Sequence, residues 1–329
     1  MAHNLAPIRI AGRPVGPTGY GLMGLTRPWA TTGYSDATKV MKTALEQGAN
    51  FWNGGMFYGT PNANSLQLLK HYFTEHPEDA DKVVLSIKGA YDRATNMPTG
   101  SPEAVRTSVE EALRVLDGTK KIDVFQCARV DPKVPVETTI KALAELVTAG
   151  KIGGIGMSEV SGATLRRAHA VHPIAAVEIE LSLFSNEPLT NGILDTCREL
   201  GVPVVAYSPL SRGWLTGQYR RYEDLPEAGA MRFLPRFQPD VFDQNLKLVE
   251  AVETLAKRKG STVPQVAIAW VRHQGAIPIP GATKIERVVE NCTEVELSEK
   301  EQREIQQMLD NFPIQGQRYG GEHEALLNQ

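Results

Sequence analysis

The chain has 329 residues, of which 42% are hydrophobic and 22% charged, and its formal net charge is −3. This composition is typical of a globular protein, and neither the charge nor any long apolar run indicates nucleic acid or a membrane as a partner. Three cysteines are too few for a disulfide framework, so we expect a reducing compartment, the cytoplasm, with access to the nucleus left open.

Eight short stretches have the apolar, β-branched character of buried strands. In chain order they are 19–22, 49–53, 83–88, 122–126, 152–157, 174–180, 202–208 and 276–280. Amphipathic stretches predict helices between them, at 35–48, 101–116, 137–150, 161–172, 187–201 and 262–275. Ser35 or Asp36 is the expected N-cap of the first helix, and Ser101, followed by Pro102, is that of the second.

Alternation of strands and helices fits two architectures, an open doubly wound sheet and a closed (β/α)8 TIM barrel. Eight repeats in a single domain, 1–329, favour the barrel, and Gly19–Gly24 matches the dinucleotide motif GxGxxG only in part. Residues 8–16 predict an N-terminal β-hairpin that turns at Gly12-Arg13 and plugs the bottom of the barrel. A long loop follows the seventh strand at about 209–240, and residues 315–329 are expected to fold over the mouth.

A tyrosine and a lysine follow neighbouring strands at the edge where barrels of this kind carry their chemistry. Tyr58 comes a few residues after the second strand, and Lys88 ends the third. A nearby ammonium favours tyrosinate and lowers the pKa of a phenol, so the pair is a candidate acid. The alternatives are a wall tyrosine and a lysine whose ammonium reaches solvent.

Residues 281–291, GATKIERVVEN, predict an anion site. A glycine-led helix start offers free backbone N–H groups, and Lys284 and Arg287 add positive charge. This combination suits a phosphate group.

Other constellations are incomplete. His169 and His172 lack a cysteine or carboxylate that would complete a metal site, so we expect no metal. Cys127 has no histidine within reach in the sequence, and we interpret it as a small buried residue rather than a nucleophile.

Taken together, these motifs resemble the aldo-keto reductases over nearly the whole chain. The similarity rests on Gly19–Gly24, Tyr58-Gly59, Lys88, and the runs 123–131, 155–158, 180–184, 206–210 and 279–282. The resemblance implies a (β/α)8 barrel that binds NADPH across its mouth and transfers a hydride to an aldehyde or ketone.

The resemblance also implies roles for individual residues. Tyr58 is the proton donor, Lys88 is its partner, and Asn53 occupies the third catalytic position. Tyr207 stacks on the nicotinamide ring, and the basic pair Lys284 and Arg287 meets a 2′-phosphate, which favours NADPH over NADH. The full implied cofactor set is Gly21, Leu22, Met23, Ser158, Glu178, Tyr207, Ser208, Leu210, Arg212, Gly213, Gly281, Lys284, Arg287, Glu290 and Asn291.

Four positions depart from the family pattern. Asn53 stands for aspartate, Ala128 for histidine, Glu159 for asparagine and Glu178 for glutamine. We interpret Asn53 and Ala128 as a paired change around a retained Tyr58. Because Asn53 cannot neutralise Lys88, we expect the ammonium to lower the pKa of Tyr58 further, unless Lys88 itself loses a proton.

Residues 52–59 and 126–131 resemble those of the fungal-type pyridoxal reductases, a branch of the same superfamily. The resemblance implies reduction of pyridoxal to pyridoxine by NADPH. Ala128 opens space for a bulky ring, and pyridoxal carries its own phenolic oxygen beside the aldehyde. Candidates for the substrate pocket are Trp29, Phe57, Ala128, Arg129 and Trp214.

Two other functions remain open from the sequence. One is a broad-specificity aldehyde or ketone reductase, and the other is an NADPH-binding regulatory subunit without turnover. Retention of both Tyr58 and Lys88 favours an enzyme. We expect a small-molecule aldehyde substrate and a monomer or weak homo-oligomer.

Overall fold

A closed barrel of parallel strands forms the centre of the molecule. The computed structural model describes residues 8–29 and 32–329. Eight strands pair with their chain neighbours, namely β1 Tyr20–Gly21, β2 Phe51–Gly55, β3 Val84–Gly89, β4 Val124–Cys127, β5 Ile155–Ser158, β6 Ile174–Glu180, β7 Val204–Tyr207 and β8 Ala276–Pro278. The Gly19 N–H donates to the Pro278 carbonyl at 2.9 Å, which joins β1 to β8. The predicted (β/α)8 barrel is therefore confirmed.

Helices surround the barrel. They are α1 Tyr34–Glu46, α2 Ser65–Glu75, α3 Pro102–Leu116, α4 Val136–Thr148, α5 Gly162–Val171, α6 Ile193–Leu200, α7 Pro239–Lys259, α8 Val263–His273, α9 Ile285–Cys292, α10 Glu299–Asn311 and α11 Gly321–Glu324. Helices α2, α7, α10 and α11 were not predicted from the sequence pattern. For α2 a signal was present, because Asn64 and Gln67 form a capping box at its start.

Of the two N-caps predicted from the sequence, the one at Ser101 was correct and the one at Ser35 or Asp36 was wrong. The Ser101 hydroxyl accepts a hydrogen bond from the Ala104 N–H at 3.2 Å and caps α3 as expected. The prediction for α1 was wrong, because its N-cap is Gly33. The Asp36 N–H already bonds to the Gly33 carbonyl, so Asp36 lies in the first turn, where its charge favours the positive end of the helix.

The predicted N-terminal hairpin closes the bottom of the barrel. Strands Arg9–Ile10 and Arg13–Pro14 pair antiparallel. The turn is one residue earlier than predicted, at Ala11 and Gly12, whose φ angles of 49° and 74° suit a two-residue hairpin turn. Ile10 is fully buried among inward-facing residues that include Phe51, Val84, Val124, Val205 and Ile277.

The long loop after β7 runs to the start of α7 and contains four short 3-10 turns. Trp214 anchors it, because its ring packs against Phe184, Phe237 and Phe242 with centroid distances of 4.9, 4.8 and 4.8 Å. Trp214 is fully buried in this cluster. In the described ranges, 8–29 and 32–329, no helix is both long and apolar enough to cross a membrane.

Candidate active site

Tyr58 is held at the mouth of the barrel by the turn that follows β2. Its N–H donates to the Gly55 carbonyl at 3.1 Å, and the Thr26 hydroxyl donates to its carbonyl at 2.8 Å. The phenol ring folds back over Gly55, where an added Cβ would lie only 2.9 Å from the ring. A glycine is needed at position 55 because any side chain there would displace the tyrosine ring.

Lys88 is the penultimate residue of β3, and its side chain lies inside the barrel. It is 4% exposed, and its strand-register partner on β2 is Gly55. Its Nζ lies 2.5 Å from Oε1 of Glu178. The ammonium is therefore buried and paired, which excludes the alternative in which it reaches solvent.

Glu178 brings a carboxylate to this group from β6. Its Oε2 accepts hydrogen bonds from Nδ2 of Asn53 at 2.7 Å and from Nε2 of Gln126 at 2.6 Å. The expectation that Lys88 lacks a neutralising partner was therefore wrong. The departure from the family pattern at position 53 is therefore paired with the one at position 178, because the side chains of Asn53 and Glu178 are in direct contact. The pairing of Asn53 with Ala128 alone was incomplete.

The environment fixes the charge of both groups at neutral pH. Burial raises the pKa of Tyr58 above its ordinary value of 10.0, the Lys88 ammonium offsets this only in part, and Glu178 raises it further. Burial disfavours the ammonium of Lys88, but Glu178 and Tyr58 together raise the pKa of Lys88. Tyr58 is thus a neutral phenol beside a cation, and the expected net lowering of its pKa was wrong.

A first cleft of about 350 Å³ runs from Tyr58 to the start of α9. It is lined by most of the residues of the implied cofactor set, namely Gly21, Met23, Glu178, Tyr207, Ser208, Leu210, Arg212, Gly213, Gly281, Arg287, Glu290 and Asn291. Three members of the set do not line it. Leu22 is fully buried in the core, Ser158 is 1% exposed beneath Arg129, and Lys284 is the exposed N-cap of α9.

This first cleft suits a dinucleotide with phosphate groups. The guanidinium groups of Arg212 and Arg287 line it, and so does Arg27, which the sequence analysis missed. Ser208, Ser211 and Arg212 have φ angles of 51°, 48° and 59°, a strained conformation for residues other than glycine. A cationic cleft with a strained loop at its edge fits a phosphorylated cofactor.

The predicted helix start at Gly281 was misplaced. Helix α9 begins at Ile285, so its free N–H groups follow Lys284 rather than Gly281. Gly281 instead lies against β1, where an added Cβ would be 3.0 Å from the Gly21 carbonyl oxygen. Arg287 bonds to Glu290 at 2.6 Å at the edge of the cleft.

A second cleft of about 390 Å³ meets the first at Tyr58 and Tyr207. The predicted pocket residues Phe57, Ala128 and Arg129 line it, together with Lys88. Five further lining residues were not predicted from the sequence, namely Tyr91, Asn96, Tyr319, His323 and Leu326. Three of these belong to the C-terminal segment, whose predicted position over the mouth was the available signal.

Two of the predicted pocket residues line neither cleft. Trp214 is in the hydrophobic core, as described above. Trp29 is 53% exposed and packs against Gly229 of the long loop. These two tryptophans therefore pack against the long loop and do not face the second cleft.

The C-terminal segment folds over the mouth, as predicted. Nη2 of Arg318 lies 2.5 Å from Oε2 of Glu159, and both side chains are buried. The hydroxyl of Tyr319 lies 3.1 Å from that of Tyr207, and Arg212 stacks on the Tyr319 ring at 5.2 Å. These contacts make the segment a wall of the second cleft.

Cys127 and the two histidines have structural surroundings. Burial raises the pKa of Cys127 to about 12, so at neutral pH it is a thiol, which is a poor nucleophile. Nδ1 of His169 accepts a hydrogen bond from the Ile174 N–H at 3.3 Å, and Nδ1 of His172 lies 2.9 Å from the Pro173 carbonyl.

Fold and site together define a class, that of oxidoreductases built on a (β/α)8 barrel that use a nicotinamide cofactor. A half-buried tyrosine meets a buried lysine and a buried carboxylate at the junction of a cationic cleft and an aromatic one. Comparison narrows the class, because residues 17–310 match the Aldo/keto reductase family, and the chain belongs to that family. It is an oxidoreductase that acts on small molecules.

Similar proteins are known from fungi, plants and bacteria. The chain is 44% identical to probable pyridoxal reductase 2 of Schizosaccharomyces pombe, across 97% of this chain and 99% of that protein. It is 39% identical to probable aldo-keto reductase 1 of Glycine max, across 96% and 92% of the two chains. Among solved structures, a glycerol dehydrogenase of Gluconobacter oxydans superimposes with a TM-score of 0.82 at 25% identity, covering 93% of this chain and 95% of that one.

Proposed function

We propose that the protein reduces pyridoxal to pyridoxine with NADPH and that Tyr58 donates the proton. The observation that carries the proposal is the position of Tyr58, beside the Lys88–Glu178 pair at the junction of the two clefts. The similarity to a probable pyridoxal reductase along nearly all of both chains supports the substrate.

The cofactor, when bound, supplies a hydride for the aldehyde carbon. Tyr58 gives its phenolic proton to the aldehyde oxygen as negative charge develops there, and the Lys88 ammonium stabilises the resulting tyrosinate. Because burial keeps the pKa of Tyr58 above its ordinary value, the phenol retains its proton until that oxygen becomes basic. The C-terminal wall of the second cleft limits access of water to the transfer.

Steady-state kinetics with NADPH against pyridoxal and benzaldehyde test the proposal. A clear preference in kcat/KM for pyridoxal is the expected result. Comparable values for the two aldehydes favour a broad-specificity reductase instead. Tight binding of NADPH without turnover of any aldehyde favours the regulatory subunit.

Arg287 is the residue proposed to select NADPH over NADH, because it is the basic residue of α9 that lines the first cleft. We expect Arg287→Gln to raise the KM for NADPH by roughly 10–100-fold, the effect of losing a charged hydrogen bond, and to leave the KM for NADH nearly unchanged. Arg303→Gln, in an exposed pair with Glu299 on α10, is the control. Equal losses for both cofactors contradict the assignment.

Arg129 is proposed to contact the phenolic oxygen of pyridoxal. Its Nη1 donates to the Ala128 carbonyl at 2.6 Å and lies 3.4 Å from the Ser158 hydroxyl. Among the described residues these are its hydrogen bonds, which leaves Nε and Nη2 for a ligand in the second cleft. Arg129→Gln should therefore weaken recognition of an oxygen beside the aldehyde.

Salicylaldehyde and benzaldehyde differ by that oxygen alone. We expect Arg129→Gln to lower the kcat/KM for salicylaldehyde relative to that for benzaldehyde by roughly tenfold or more. Benzaldehyde is the internal control for damage to the site. An unchanged ratio shows that Arg129 does not read the oxygen.

A further inference from the structure

We infer that Glu178 is a positioning residue for proton transfer, which acts through Lys88, and that Asn53 and Gln126 hold its carboxylate in place. The inference rests on the proposed function of Tyr58 as proton donor. The geometry behind it is a single buried cluster, in which Glu178 is the only carboxylate bonded to Lys88 among the described residues.

The two oxygens of Glu178 have separate partners. Oε1 faces the Lys88 ammonium, and Oε2 accepts from the amide groups of Asn53 and Gln126. Nε2 of Gln126 also bonds to the Ser86 hydroxyl at 3.1 Å, which fixes the orientation of its amide. A carboxylate accepts hydrogen bonds at both oxygens, and these three donors hold it in one orientation.

Burial makes the counter-charge necessary. Lys88 is 4% exposed and Glu178 2% exposed, and a buried charge without a partner is strongly unfavourable. The ring of Tyr207 also lies 4.9 Å from Nζ of Lys88, so the aromatic side of the cluster gives further support to a cation.

Position 53 is placed to exchange roles with position 178. Gly55 is the register partner of Lys88, and Asn53 lies two residues earlier on the same inward face of β2. The side chains of Asn53 and Glu178 are in contact at 2.7 Å. A carboxylate at position 53 with an amide at position 178 would keep one negative charge beside Lys88 and one hydrogen bond between the two strands.

The charges that face Tyr58 are Lys88, Glu178 and Arg129. The two cations favour tyrosinate, and Glu178 opposes them. Without the carboxylate, tyrosinate at Tyr58 is the counter-charge that remains to stabilise the buried Lys88 ammonium. The expected consequence is ionisation of Tyr58 at lower pH.

An alkaline titration of the cofactor-free protein measures this directly. Tyrosinate absorbance of the parent minus that of Tyr58→Phe gives the curve of Tyr58 alone. We expect Glu178→Gln to displace this curve downward by about one pH unit and Asn53→Asp/Glu178→Gln to return it towards the parent. In turnover, kcat should fall roughly tenfold or more in Glu178→Gln, because Lys88 loses the carboxylate that positions it beside Tyr58. The kcat of the double variant should exceed that of both single variants.

Glu253→Gln is the matched control, because Glu253 lies on α7 and pairs with Arg220 of the long loop, and this change should leave the curve unchanged. If the role of Glu178 is purely structural, Glu178→Gln would lower the melting temperature without displacing the Tyr58 titration curve. No displacement in Glu178→Gln, or a displacement that the double variant does not reverse, overturns the inference. If the parent turns over no aldehyde, the proposed function fails, and the titration still decides the role of Glu178.

Discussion

Replacing Tyr58 by phenylalanine is expected to lower kcat for pyridoxal by roughly 10²–10⁴-fold, the contribution of a positioned general acid. The phenyl ring keeps its place over Gly55 and its edge contact with Phe57, whose centroid is 4.9 Å away. Only the hydroxyl is lost, so the first cleft keeps its shape and NADPH affinity should stay close to that of the parent. Steady-state kinetics and a fluorescence titration with NADPH measure the two quantities.

Tyr72→Phe is a matched control for that experiment. The Tyr72 hydroxyl is buried and donates to Asp79 at 2.8 Å on the outside of the barrel. Its loss should affect the stability of the fold and leave kcat unchanged. If Tyr58→Phe reduced pyridoxal at the parent rate, Tyr58 would not be the proton donor.

Local sequence patterns were sufficient for most of the fold. All eight barrel strands were predicted, because buried parallel strands are short apolar runs in any register. The predicted strand ends differ from the observed ones where apolar residues flank the paired part of a strand. For example, the predicted strand 202–208 pairs with β6 at Val204–Tyr207. The start of helix α1 was predicted wrongly because its N-cap is Gly33, which has no side chain to signal a cap.

The Tyr58 and Lys88 pair was predictable from position along the strands, and most of the lining of the first cleft followed from the family resemblance. Tyr58 could be proposed because it follows the end of β2, and Lys88 because it lies near the end of β3. The partner of Lys88 could not, since Glu178 is 90 residues away in the sequence and reaches it across the barrel. Trp214 shows the same limit, because the rings of Phe184 and Phe237 that bury it come from separate segments.

Replacing Arg318 by methionine is expected to destabilise the fold by roughly 3–5 kcal/mol at neutral pH, the cost of leaving a buried carboxylate without its partner. Glu159 is 1% exposed and accepts from Arg318 and from the Glu180 N–H. The same change should raise the KM for pyridoxal, because Tyr319, next in the chain, is a wall of the second cleft. Calorimetric melting temperatures and steady-state kinetics measure the two effects.

The pH dependence separates this pair from a surface one. Burial alone would raise the pKa of Glu159, but Arg318 and its other partners hold it below its ordinary value of 4.5. In the parent this ionised group stabilises the fold above pH 4.5, and that contribution is lost as the pH falls through the lowered pKa. Without Arg318 the pKa rises, so a neutral Glu159 is tolerated in acid and its ionisation destabilises the variant as the pH increases. The difference in melting temperature between parent and variant should therefore widen from pH 4 towards pH 7. The cause is the rise in the pKa of Glu159 that follows the loss of a close opposite charge.

Arg167→Met is the control, because Arg167 and Glu137 form an exposed pair on the surface of α5 and α4. Such pairs are screened by solvent and contribute little, so its melting temperature should follow that of the parent at every pH. A difference for Arg318→Met that stays constant with pH would show that the loss comes from packing of the arginine stem. A difference that widens would show that the C-terminal wall is held by the charge of Glu159, which the sequence alone presents only as a departure from the family pattern.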